Sequence, residues 1–222
     1  MATVNDKARA QKILQRLKES FTMPEWISSK RDPFETLIIT IISQNTSDRN
    51  TEKAFHNLSH RFPITPEALA RAKTSEIEEC LKVAGLYRNK AKVIKELSKI
   101  ILEKFGGNLK PVLAMPFEEA RKTLLQLPGV GPKTADVLLL FSANQPTVPV
   151  DTHVKRVSKR LGLAPKEGDY EDVRSALQLL YEPKDYLDVH ILLILLGRKY
   201  CKAAKPLCEL CPVGIFCPSK RG

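Results

Sequence analysis

The chain has 222 residues, with 36 Lys or Arg against 25 Asp or Glu, a formal net charge of +11 and 43% hydrophobic residues. That apolar share supplies a real core and excludes a wholly disordered chain, while the length allows one large domain or two small ones. The longest apolar runs, 37–42, 137–141 and 189–196, fall short of the roughly 20 residues that span a bilayer, so no membrane helix is expected.

The N-terminal stretch MATVNDKARAQK lacks an apolar h-region, so no secretory leader is expected either. Ile13, Leu14 and Leu17 then give a first helix by their three- and four-residue spacing. Asp32-Pro33 reads as a cap followed by a first-turn proline, which favours a helix over a strand for the run 37–42. That run ends in the polar cluster Ser43-Gln44-Asn45-Thr46-Ser47-Asp48, a loop with a new N-cap. Gly85-Leu86-Tyr87 separates two helical patterns, and Ile94, Leu97, Ile100, Ile101 and Phe105 mark a long helix after it. Cys80, spaced with Ile77 and Leu81, reads as core.

Phe117, Ala120, Leu124 and Leu127 form the next helical pattern, followed by Leu127-Pro128-Gly129-Val130-Gly131-Pro132-Lys133-Thr134-Ala135 and a further apolar helix. Two glycines one residue apart permit a tight turn and close approach of another backbone. Pro132 suits the first position of the second helix, whose N-terminal amides and positive dipole end suit a phosphate. Asp151 precedes Thr152-His153-Val154 as an N-cap. Beyond it Val154, Val157 and Leu161 share an apolar face, with Lys155, Lys159, Arg156 and Arg160 stacked beside it as a solvated or phosphate-binding stripe. No segment shows sustained period-two alternation, so the expected fold is all-α, of about ten short helices.

Lys133 stands at a helix origin, where the macrodipole disfavours a cation. The positive potential and desolvation are expected to lower its pKa, as a nucleophilic amine requires, although a surface lysine is the ordinary alternative. Cys201, Cys208, Cys211 and Cys217 give C-x6-C-x2-C-x5-C. Four thiolates can close a zinc site or hold an iron–sulfur cube, and spacing alone modestly favours zinc. Clustered thiols of this kind suit a reducing intracellular compartment, which is the cytoplasm or nucleoid if the source is prokaryotic.

These elements together resemble the endonuclease III family of helix-hairpin-helix DNA glycosylases. The resemblance runs from Pro33-Phe34-Glu35 through Cys217 and rests on Leu127–Ala135, on Val150-Asp151-Thr152-His153 and on the terminal cysteines, in the family's order. It implies two helical lobes: 26–145, a six-helix lobe carrying the helix-hairpin-helix at about 117–143, and 1–25 with 146–222, ending in a four-cysteine cluster loop at 201–217. The implied cofactor is a 4Fe-4S cluster on Cys201, Cys208, Cys211 and Cys217, in a structural rather than redox role. The implied activity is a bifunctional N-glycosylase and AP lyase removing oxidised pyrimidines. Lys133 would be the Schiff-base nucleophile and Asp151 the essential carboxylate, facing it across a cleft. The partner would be double-stranded DNA with damaged bases or abasic sites, bound by a monomer without any membrane.

For DNA contacts the same resemblance points to Gly129, Val130, Gly131 and Thr134 of the hairpin, to Lys155 and Lys159, and to Leu86 as a wedge in the duplex. Gln44 and Asn45 match the region that fills the vacated stack, and which of the two amides does so is open at this level. Two other functions compete. A monofunctional mismatch glycosylase is disfavoured by Thr40, where adenine glycosylases carry a glutamate, and by the presence of Lys133, which thymine-mismatch relatives lack. A non-catalytic DNA-binding module with a zinc tail would leave Lys133 and Asp151 as surface and cap residues.

Overall fold

The computed structural model describes residues 3–28 and 31–220. Among these residues are twelve α-helices and no strand. In chain order they are α1 (Val4–Ser20), α2 (Pro33–Ser43), α3 (Asp48–Arg61), α4 (Pro66–Arg71), α5 (Thr74–Leu81) and α6 (Tyr87–Phe105), then α7 (Lys110–Leu113), α8 (Phe117–Leu124), α9 (Pro132–Ala143), α10 (Thr152–Arg160), α11 (Tyr170–Leu180) and α12 (Tyr186–Lys199). The excess over about ten comes from pieces such as α4 and α7, which are too short to show a helical period in sequence. No described helix is long and apolar enough to cross a membrane.

Local chemistry sets several helix starts. The Asp32 carboxylate accepts the Phe34 N–H at 2.8 Å, with Pro33 in the first turn, so the run 37–42 is helical. Ser47 caps α3 by accepting the Asn50 N–H. Asp169 and Asp172 form a reciprocal capping box at α11.

The chain divides into two compact units, Lys30–Gln145 and Met1–Ser29 with Pro146–Gly222. In the first, α2 is the central helix and packs against α3, α6 and α9. Leu37, Ile38, Ile41 and Ile42 are all buried there with Ile94, Leu97 and Leu138 of the neighbouring helices. Each such aliphatic side chain contributes about 1.5–3 kcal/mol. Cys80 belongs to the same core.

In the second unit α12 is the central helix. It packs against α10, and α1 packs against α11 and α12. Val189, Leu192, Leu193 and Leu196 are buried, which accounts for a helix that is apolar nearly all round. Gly197 lets α10 come close, since a Cβ there would lie 3.0 Å from His153.

Candidate active site and cysteine-lined cavity

Between α8 and α9 the backbone turns twice in seven residues. Val130 donates its N–H to Leu127 O at 3.1 Å, and Gly129 takes φ 76°. A Cβ at Gly129 would lie 2.4 Å from Val93 Cγ1, so this position requires both the conformation and the size of glycine. Pro132 opens α9, and no side chain among the described residues caps it. The positive end of the helix therefore rests on backbone alone.

Lys133 follows in that first turn, half-buried. Gly129 and Gly131 are exposed, whereas the side chains of Val130 and Thr134 are buried. Of these two, Val130 also has its amide engaged, so the hairpin surface is formed by the glycines and the helix terminus. Gln44, at the end of α2, is tied to the same turn. Its side-chain amide donates to Gly129 O at 3.0 Å and to Thr134 Oγ1 at 3.4 Å. Asn45, the next residue, is exposed and left-handed at φ 53°.

The second loop of this unit holds Leu86, also left-handed at φ 46° and 63% exposed. Asparagine tolerates that region; a leucine there is a true outlier, and such outliers concentrate at functional sites. Nearby, the buried Lys90 of α6 donates its ammonium to Ile42 O at 2.9 Å and to Ala84 O at 2.8 Å. Burial pushes its pKa below the ordinary lysine value. Sequence reasoning missed Lys90. The available signal was its place four residues before Ile94, on the apolar face of α6. It also missed the Arg121–Asp136 pair, 2.8 Å apart with Asp136 fully buried, which links α8 to α9. A carboxylate inside the apolar run of α9 needs such a partner.

In the other unit the Asp151 carboxylate accepts the Val154 N–H at 2.7 Å, so its capping role is present, with the side chain half-buried. The basic stripe of α10 separates into two functions. Arg156 donates to Cys201 O at 2.9 Å and Gly197 O at 3.1 Å, and lies 3.1 Å from His153 Nδ1. Arg160 donates to Lys202 O at 2.7 Å and Ala203 O at 3.1 Å. These guanidiniums anchor the terminal segment, a contact that the four-residue spacing did not indicate. Lys155 and Lys159 remain half-exposed on the same helix.

The segment they anchor is built of short turns. Cys201 N–H donates to Leu196 O, Cys211 N–H to Cys208 O and Cys217 N–H to Gly214 O. The result is a cavity of about 380 Å³ lined by Cys201, Cys208, Cys211 and Cys217. Burial pushes the thiols of Cys211 and Cys217 upward, and charge on neighbouring cysteines adds to the effect. Among the described residues no three Cys, His, Asp or Glu side chains already form a single-ion site. Four soft thiols around a cavity of this size, with the Arg160 guanidinium 3.5 Å from Cys201 Sγ, fit a cluster that needs four thiolates and an N–H donor beside them.

Residues 38–183 match the family model described as HhH-GPD superfamily base excision DNA repair protein. Endonuclease III of Thermotoga maritima is 41% identical over 180 residues, covering 81% of this chain and 80% of that protein. Endonuclease III of Escherichia coli is 35% identical over 217 residues, 97% of each chain. A solved trapped endonuclease III–DNA covalent intermediate, an estranged-adenine complex, superposes with a TM-score of 0.85 at 31% identity, covering 99% of this chain and 98% of that one. Endonuclease III proteins generally contain a 4Fe-4S cluster.

Proposed function

From the membership of this chain in the HhH-GPD superfamily of base-excision DNA repair proteins, we propose a bifunctional DNA glycosylase and AP lyase that removes oxidised pyrimidines from double-stranded DNA. One observation carries the assignment to the lyase branch: a half-buried Lys133 in the first turn of α9, directly after the tight Gly129 turn. A monofunctional relative has no need of an amine there.

Lys133 is the nucleophile and Asp151 the carboxylate that acts with it. The damaged nucleotide leaves the stack, since its anomeric carbon is out of reach inside a duplex. The Lys133 amine forms a bond to that carbon, and the base departs with the electron pair of the glycosidic bond and gains a proton. The sugar ring then opens to a Schiff base. Loss of the proton at C2′ expels the 3′ phosphate by β-elimination. The Asp151 carboxylate stabilises positive charge at the sugar and assists the proton transfers.

Gly129 and Gly131, with the uncapped α9 terminus, bind phosphate, joined by Lys155 and Lys159. Thr134, with its side chain occupied by Gln44, takes part through its main chain. Leu86 and Asn45 enter the duplex, and the tie between Gln44 and Gly129 supports Asn45 as the amide that reaches the vacated space.

Cys201, Cys208, Cys211 and Cys217 hold a 4Fe-4S cluster. Bound there, it supplies a covalent brace for a tail too small to pack alone. The thiol set supports an intracellular, reducing location.

Borohydride reduction tests the reading. Incubated with a duplex containing an oxidised pyrimidine, the protein forms a covalent adduct that Lys133→Ala abolishes while remaining folded. Adduct formation by Lys133→Ala, or base release by wild-type protein without any adduct, would overturn it.

A further inference from the structure

Three non-glycine residues of the Lys30–Gln145 unit hold left-handed backbone: Asn144, which ends α9, and Asn45 at φ 53° and Leu86 at φ 46°, each in an exposed loop. The latter two lie 41 residues apart in sequence and on different elements, one after α2 and one before α6. Two carbonyls just upstream of them share one donor. Ile42 O is among the last carbonyls of α2, where no residue of the helix can satisfy it. Ala84 is the last residue of the 3-10 turn Lys82–Ala84. The Lys90 ammonium reaches both, at 2.9 and 2.8 Å, with the residue only 4% exposed. The Lys90 backbone N–H also donates to Leu86 O at 3.0 Å.

The arrangement differs from an ordinary helix cap. A capping lysine covers one terminus from the solvent side. Lys90 instead lies buried on the core face of α6, where an apolar residue belongs by spacing, and bonds the bases of two separate loops. An exposed hydroxyl or amide would suffice to terminate α2. A buried ammonium between two carbonyls fixes the distance between the loops, because each N–H···O bond holds within a few tenths of an ångström.

We propose that Lys90 is a positioning residue for DNA: it couples the loop bearing Asn45 to the loop bearing Leu86, so that the two side chains enter the duplex as one preformed unit. The inference rests on the reading that these loops meet DNA. It goes beyond that reading in assigning the spacing of the two wedges to one buried amine. The left-handed backbone at Asn45 and Leu86 is maintained because the residues below them are anchored together. Gly85, also at positive φ (63°), sharpens the second loop between the anchored Ala84 carbonyl and Leu86.

The test reads duplex distortion and needs no catalysis. The probe is a duplex with a tetrahydrofuran abasic analogue and 2-aminopurine opposite it, which brightens when unstacked. Lys90→Met keeps the length of the side chain and removes the donor. It lowers the fluorescence rise at saturating protein by about tenfold, as does the pair Asn45→Ala and Leu86→Ala, and adding Lys90→Met to that pair changes nothing more. Lys90→Gln, which can still donate to a carbonyl, recovers part of the signal and covers the case in which Lys90→Met does not fold. In both Lys90 variants amide exchange quickens together at Asn45 and Leu86.

A full fluorescence rise in Lys90→Met, or a further loss when it is added to the pair, would overturn the proposal. If Asn45→Ala with Leu86→Ala leaves the rise intact, the loops do not enter DNA and the proposal falls with that contact. Borohydride trapping through Lys133 is unaffected by that outcome and judges the enzymatic reading by itself.

Discussion

The guanidinium of Arg121 meets the fully buried carboxylate of Asp136 at 2.8 Å, and the hairpin turn lies between them in the chain. Arg121 is on α8 and Asp136 on α9, so the pair holds the two arms of the turn from below. Removing one partner strands a charge in the core. Arg121→Ala should lower unfolding stability by about 3–5 kcal/mol, measured by urea titration. The apolar pair Arg121→Met with Asp136→Leu should recover most of that loss, because it removes both charges at once.

Gly129 offers a sharper probe of the turn itself. Gly129→Ala places a methyl 2.4 Å from Val93 Cγ1 and forces a side chain into the left-handed region. The expected cost is about 1–3 kcal/mol in thermal or urea unfolding, with a loss of DNA affinity measured by fluorescence anisotropy. Adding Val93→Ala relieves the contact and leaves the backbone term, so the double variant should fall between Gly129→Ala and wild type.

Gln44 and Asn45 should behave differently despite being neighbours. Gln44→Ala removes the bonds to Gly129 O and Thr134 Oγ1 and should cost about 0.5–1.5 kcal/mol of stability. Asn45→Ala removes no bond of that kind. Its effect should appear in the ratio of kcat/KM values for lesions placed opposite different bases, with the unfolding midpoint nearly unchanged.

The terminal cysteines make a prediction about metal content. Purified protein should be yellow-brown and contain iron and sulfide, and Cys211→Ser should lower both and reduce the melting temperature of the Pro146–Gly222 part most. Arg160→Ala keeps all four ligands yet loses the bonds to Lys202 O and Ala203 O. It should destabilise the loaded protein by about 1.5–3 kcal/mol, measured by calorimetry. Colourless, zinc-loaded and active protein would refute the cluster.

Local features of this chain were legible in its sequence. The Asp32-Pro33 start, the Ser47 cap and the Asp151 cap all lie within three residues of the groups they bond, so pattern alone reveals them. The cysteine spacing was equally plain. Lys90 was not, because one of its acceptors is 48 residues away and nothing in the sequence names it. The four-residue stacking on α10 identified a basic face but not its neighbours. Arg156 and Arg160 turned out to bond carbonyls of the terminal segment. Sequence likewise left Gln44 and Asn45 equivalent, and it is the tie to Gly129 that distinguishes them.

Arg9, on the first helix, donates to the carbonyls of Leu161, Gly162 and Phe216. Its acceptors therefore lie 152, 153 and 207 residues further along the chain. During translation α1 must wait, its apolar stripe of Ala10, Ile13, Leu14 and Leu17 uncovered, until α11 and α12 have been synthesised. The Lys30–Gln145 segment carries its own core and can finish folding within that interval. A nascent chain stalled after residue 145 should thus protect its interior from protease while its first helix is still digested.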